Sequence, residues 1–122
     1  MMDLVLCTTS DVPLYQQLYL QISAQIVNEV LLPGTPLPPI RTVAAELGVS
    51  IITVKRAWEE LERSGFIHTH VGRGTVVAPR DGTDPDEKKL AIAREKLERD
   101  LAFYRTLGLS KAELQQLIDT LY

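Results

Sequence analysis

The chain has 122 residues, 45% of them hydrophobic and 24% charged, with a formal net charge of −3. That is the size and balance of about one ordinary globular domain with a modest core. A lone cysteine, Cys7, excludes an intrachain disulfide; no apolar run reaches the roughly 20 residues of a membrane span, and the N-terminus lacks the basic residues of a signal peptide, so a cytoplasmic protein is expected.

Between Pro13 and Leu32, apolar residues recur at Leu14, Leu18, Ile22, Ile26 and Val30, an i, i+4 series that predicts a helix. Pro13 suits its first turn, where a missing N–H costs nothing. The stretch PGTPLPP, residues 33–39, ends it. IRTVAAEL, residues 40–47, predicts a short helix with Ile40, Val43, Ala44 and Leu47 on one side, closed by Gly48 in a left-handed conformation. Ser50 is a good N-cap for a third helix over roughly 51–64, whose apolar stripe is Val54, Ala57, Trp58 and Leu61 and which Gly65 closes. FIHTHVGRGTVVAP predicts two short strands, about 66–70 and 75–78, around a Gly72-Arg73-Gly74 tip.

PRDGTD, residues 79–84, is polar and rich in turn formers. Asp84-Pro85-Asp86-Glu87 then supplies an acidic cap, a proline at the first helical position and a glutamate behind it. The helix it starts runs to about Leu107, with Leu90, Ala93, Leu97, Leu101 and Tyr104 in line, and Gly108 stops it. Ser110-Lys111-Ala112-Glu113 is a capping box for a last short helix carrying Leu114, Leu117, Ile118 and Leu121. There is no internal repeat. Three helices followed by a two-stranded wing describe a winged helix-turn-helix. The expected fold is therefore mostly α with a small β-hairpin: a winged helix-turn-helix over residues 1–79, a linker at 80–84 and a two-helix dimerisation tail over 85–122.

The charge is unevenly spread. Residues 1–37 hold three acids and no Lys or Arg, residues 38–80 hold six bases against four acids, and residues 81–122 hold nine acids and seven bases. The only net-positive segment is the one that carries the helix-turn-helix and the wing. Phosphate attraction depends on where charges lie rather than on their total, so this excess leans weakly toward DNA.

Residues 12–79 resemble the DNA-binding domain of the GntR family of bacterial transcription regulators. The residues that carry the resemblance are Pro13-Leu14-Tyr15 with Gln17, Leu32-Pro33-Gly34 with Leu37-Pro38, then Arg41. Leu47-Gly48-Val49-Ser50 with Thr53-Val54, Leu61 with Gly65-Phe66-Ile67, and Gly72-Arg73-Gly74-Thr75 complete the set. The short helical remainder is similar to the YtrA-type subfamily, which has about two helices in place of a large effector domain. The resemblance implies DNA contacts from Arg41, from Ser50, Ile51, Ile52, Thr53 and Lys55 at the third helix, and from Gly72 and Arg73 at the wing. It also implies a link to transporter operons. One position departs from the pattern: many relatives have Arg directly after the Ser or Thr that starts the recognition helix, where this chain has Ile51 and then Ile52. Isoleucine cannot hydrogen-bond a base edge, although it can meet a thymine methyl.

Each of these residues also has a plainer reading. Ser50 and Thr53 are short donors suited to phosphate or base, yet Ser50 caps the helix in any case. Two adjacent isoleucines cannot both enter one narrow core stripe, so at least one is expected on the surface. Arg41 suits a groove or phosphate contact, or a surface ion pair with Glu46 or Glu62. Lys55 suits phosphate. Arg56 suits phosphate, or a pair with Glu59 or Glu60. Gly72, Arg73 and Gly74 suit a wing tip that brings Arg73 to a minor groove or a phosphate, or an ordinary hairpin turn. His68 and His70 share a strand face and are at most half of a metal site, so no metal and no cofactor are expected. Trp58, Tyr15, Tyr19 and Phe66 are expected in the core rather than stacked on bases. No nucleophile–base pairing or phosphate loop is present, and catalysis is not expected.

The stripe Leu90, Leu97, Leu101 and Tyr104, together with Leu114, Leu117, Ile118 and Leu121, has nowhere obvious to go within one chain. Dimerisation would bury it and present two recognition helices to an inverted-repeat operator. The reading is a homodimeric, sequence-specific transcription regulator, a repressor, acting on double-stranded DNA. The alternatives are a winged-helix protein-interaction module that binds no DNA, and a ligand sensor with its site at the tail dimer interface.

Overall fold

The computed structural model of the chain describes residues 3–79 and 85–122. Among them, in order, are α1 (Leu14–Val27), α2 (Ile40–Leu47), α3 (Ile51–Arg63), β1 (Ile67–His70), β2 (Gly74–Val77), α4 (Pro85–Thr106) and α5 (Lys111–Leu121). This is the mostly helical architecture with one hairpin that the sequence predicts. The chain divides into two compact units, Met1–Pro85 and Asp86–Tyr122. The expected linker at 80–84, with the Asp84 cap, lies outside the described residues.

In the first unit α3 is the central element, because its apolar residues meet both earlier helices and the hairpin. Val54, Ala57, Trp58 and Leu61 recur at helical spacing and are all buried, with Val54, Ala57 and Leu61 fully so. Against them lie Leu18 and Ile22 of α1, Val43 and Ala44 of α2, and Phe66, Ile67 and Val77 of the hairpin. At roughly 100° per residue, a step of four overshoots a full turn. The i, i+4 series of α1 therefore drifts off the core: Leu18 and Ile22 are buried, Ile26 is half-buried, and Val27 takes the next core place.

Helix α1 ends at Val27, earlier than the predicted Leu32, and Val30 is an exposed residue beyond it. The N–H of Val30 reaches back to the Gln25 carbonyl at 2.8 Å and that of Glu29 to Ile26 at 3.1 Å, which is a Schellman closure. Its left-handed residue is Glu29, at φ 62°, where α2 uses Gly48 at φ 67° for the same closure. A residue with a Cβ in that region costs roughly 1 kcal/mol or more. Glu29→Gly is therefore expected to be more stable than Glu29→Ala by about 1 kcal/mol, read as a higher urea midpoint at unchanged m-value.

Two further features were not foreseen. Residues 34–37 do more than end a helix: they run antiparallel beside β2, with Gly34 N–H to Val77 O at 2.8 Å, Val77 N–H to Thr35 O at 2.9 Å and Leu37 N–H to Thr75 O at 2.9 Å. The second is an extended segment over Asp3–Cys7 held by a ladder of glutamines on α1. Gln21 exchanges both amide bonds with the main chain of Val5, at 2.9 and 2.6 Å, and Gln17 does the same with Cys7, at 2.8 and 2.9 Å. Gln25 donates to the Asp3 carbonyl at 2.8 Å. Two strand residues advance about 6.6 Å and four helix residues about 6 Å, so the two repeats nearly match.

In the second unit, α5 starts with the predicted capping box, Ser110 accepting from the Glu113 N–H and Glu113 from the Ser110 N–H. Around α4 run the i, i+4 ion pairs Arg94–Glu98, Glu95–Arg99 and Lys96–Asp100.

Candidate nucleic-acid interface

The turn between α2 and α3 is built by local chemistry. Gly48 takes the left-handed conformation that lets the Val49 N–H return to the Ala44 carbonyl at 3.0 Å. Ser50 then adopts an extended backbone and its hydroxyl accepts from the Thr53 N–H at 3.1 Å, opening α3. The hydroxyls of Ser50 and Thr53 also bond each other at 2.8 Å.

Helix α3 is two-faced. Its buried stripe fixes its roll, so Ile51, Ile52, Lys55 and Arg56 are turned outward. Both isoleucines are exposed, Ile51 at 45% and Ile52 at 78%; neither has been recruited to the core. Arg41 is exposed in the first turn of α2. Among the described residues no carboxylate pairs with Arg41: Glu62, one of its candidate partners, accepts instead from the Thr69 N–H at 3.0 Å, which ties the hairpin to α3.

Arg56 corrects both ion-pair expectations for it. Its guanidinium lies over the ring of Tyr15 at 3.9 Å from the centroid, and Glu60 pairs with Arg63 instead. Tyr15 is half-buried and the Arg56 side chain remains exposed, so a cation–π contact worth about 0.5–1 kcal/mol steadies a charge at the surface. Trp58 and Phe66 are core residues, and Tyr19 sets its ring edge-on to Phe66 while its hydroxyl donates to Ser64 at 3.1 Å.

The hairpin closes through a turn in which the Arg73 N–H bonds the His70 carbonyl at 2.9 Å. Gly72 sits at φ 80° and Gly74 at φ 87°, and nothing would obstruct a Cβ at either, so backbone conformation rather than space selects glycine here. Arg73 is exposed at the tip, beside a fully exposed Val71 that the sequence reading passed over. His68 and His70 project side by side with ring centroids 4.5 Å apart. No group of three or more metal-ligating side chains occurs among the described residues. Cys7 is exposed, and a hydrogen bond with the Thr9 hydroxyl holds its thiol below the usual range.

The tail presents a different surface. Leu97, Leu101, Tyr104, Leu114, Leu117 and Ile118 line one open apolar groove between α4 and α5. No residue of α5 is buried, and Leu90 and Leu121 are more than two-thirds exposed. No helix among the described residues is long and apolar enough to cross a membrane.

A family model for bacterial regulatory proteins of the gntR family matches residues 14–77, the span from the start of α1 to the end of β2. The chain belongs to the GntR family: it is a winged-helix, DNA-binding transcription regulator. Within the family it is of the YtrA type. It is 30% identical over 109 residues to the HTH-type transcriptional repressor YtrA of Bacillus subtilis, covering 89% of this chain and 84% of that protein. It is 37% identical over 111 residues to the regulator YhcF of the same organism, covering 91% of each. The solved structure of YtrA from Sulfolobus acidocaldarius, a GntR-family transcription factor, superposes with a TM-score of 0.61 at 31% identity, over 97% of this chain and 95% of that one. The AraR DNA-binding domain in complex with its operator ORX1 matches with a TM-score of 0.55 at 26% identity, over 63% of this chain and 96% of that one.

Proposed function

We propose that the protein is a homodimeric repressor that binds an inverted-repeat operator in the cytoplasm and carries out no catalysis. The winged unit, residues 1–79, would contact DNA, and the tail, residues 85–122, would join the protomers. The observation that carries this reading is the two-faced α3. Its inner stripe is spent on the core, while Ser50, Ile51, Ile52, Thr53 and Lys55 stand at its outer start. Arg41 and the Gly72-Arg73-Gly74 tip supply charge and close backbone approach from the elements on either side, and Arg56 is held at the surface by Tyr15. A recognition helix entering a major groove by its N-terminal residues, with basic side chains on the flanking phosphates, has this form.

The test is fluorescence anisotropy at about 0.15 M salt on DNA from upstream of the protein's own gene against scrambled DNA. Wild type should prefer the former by at least about a hundredfold. Arg41→Ala and Arg73→Ala should each weaken binding and lower the salt slope by about one. Absence of binding to either DNA, even at low salt, would replace this reading with a protein-interaction module.

A further inference from the structure

The outer start of α3 has an unusual chemistry for a surface that meets DNA. Its two most prominent side chains, Ile51 and Ile52, are branched hydrocarbon, 45% and 78% exposed. The polar groups around them are already engaged: the Ser50 hydroxyl accepts from the Thr53 N–H at 3.1 Å and pairs with the Thr53 hydroxyl at 2.8 Å. The cations nearest in sequence, Lys55 and Arg56, lie one turn further along, and Arg56 is stacked on Tyr15. The tip of the helix therefore presents mainly alkyl surface to a base edge, beside two hydroxyls that are bonded to each other.

On the floor of the major groove, adenine, guanine and cytosine present polar edges, and thymine alone adds an apolar group, the 5-methyl. An isoleucine set against the cytosine amino group or the guanine carbonyl would strip water from a polar atom and return no partner. Set against a thymine methyl, it buries hydrocarbon against hydrocarbon. We infer that Ile52, with Ile51 beside it, reads the 5-methyl group of thymine, so that each half-site carries a thymine selected by its methyl and not by its hydrogen-bonding edge. This rests on the reading of α3 as the recognition helix. It has a corollary: 5-methylcytosine carries a methyl at the same ring position, so cytosine methylation at that site would restore part of the contact.

The experiment separates the two levels. Wild-type protein selects its preferred duplex from a randomised pool, and binding is then measured with each thymine of that duplex replaced in turn by deoxyuridine, which removes the methyl and leaves the base-pairing edge intact. Replacement of one particular thymine per half-site should weaken binding about fourfold for each methyl lost. Cytosine at that position should bind more weakly than 5-methylcytosine. The deoxyuridine penalty should vanish in Ile52→Ala and shrink in Ile51→Ala; both positions are exposed, and circular dichroism would verify that the variants fold. A selected duplex whose affinity no deoxyuridine alters, or a penalty that persists undiminished in both variants, would overturn the methyl reading while leaving α3 as the DNA-reading helix. A pool that enriches no sequence would overturn sequence-specific recognition and the inference with it.

Discussion

If the tail joins two protomers as proposed, Ile118→Glu is expected to yield a monomer and to lower affinity for a two-half-site operator by about a hundredfold or more. The tail is a separate unit, residues 86–122, and so falls below the roughly 40 residues at which a single chain begins to sustain a core unaided. Its apolar groove is uncovered: Ile118 is 55% exposed and Leu117 48%. A second copy of the α4–α5 tail is the simplest cover, and it accounts for Leu90, Leu97, Leu101, Tyr104, Leu114 and Leu121 as well. A carboxylate placed there would lose its hydration without gaining a partner, which costs several kcal/mol. Sedimentation equilibrium should report half the wild-type mass. The affinity loss follows because two linked half-site contacts become two independent ones, so binding to an isolated half-site should be unchanged. If Ile118→Glu and Leu117→Glu both remain dimeric, the tail is not the interface.

The second large effect concerns the winged unit. Trp58→Ala should destabilise it by about 3–5 kcal/mol, because Trp58 is only 5% exposed and its removal leaves a cavity that rigid neighbours fill only in part. Since whole domains are stable by only about 5–15 kcal/mol, the variant should be near its unfolding midpoint in dilute urea. Trp58→Phe keeps much of the volume and should lose less than half as much. Equilibrium unfolding followed by circular dichroism distinguishes these outcomes; a loss below about 1 kcal/mol in Trp58→Ala would show that burial of the indole does not stabilise the winged unit.

What the sequence made legible was local. Gly48, Ser50, Gly65 and the Ser110–Glu113 box sit within a few residues of the bonds they make, and the boundaries of α2, α3 and α5 follow from them. The end of α1 was not legible because its left-handed residue is a glutamate, which carries no signature for that conformation. The pairing of residues 34–37 with β2, the glutamine ladder and the Arg56–Tyr15 stack all join segments distant in sequence, and nothing within either segment names the other. Of the candidate site, the outward position of Ile51 and Ile52 was half-readable: two adjacent isoleucines ahead of the stripe implied at least one outward side chain, and the roll of α3 shows that both face outward.

The glutamine ladder makes one side of a helix behave as the edge of a β-sheet. Gln17, Gln21 and Gln25 offer amide groups to the main chain of Asp3–Cys7 in the way a neighbouring strand would, and they grip backbone atoms only. The anchored segment is consequently free to vary in side chain wherever it faces solvent, as Val5 and Cys7 do. What it must preserve is extension and two donors, so proline is the residue barred from positions 5 and 7, where the N–H groups are given to Gln21 and Gln17.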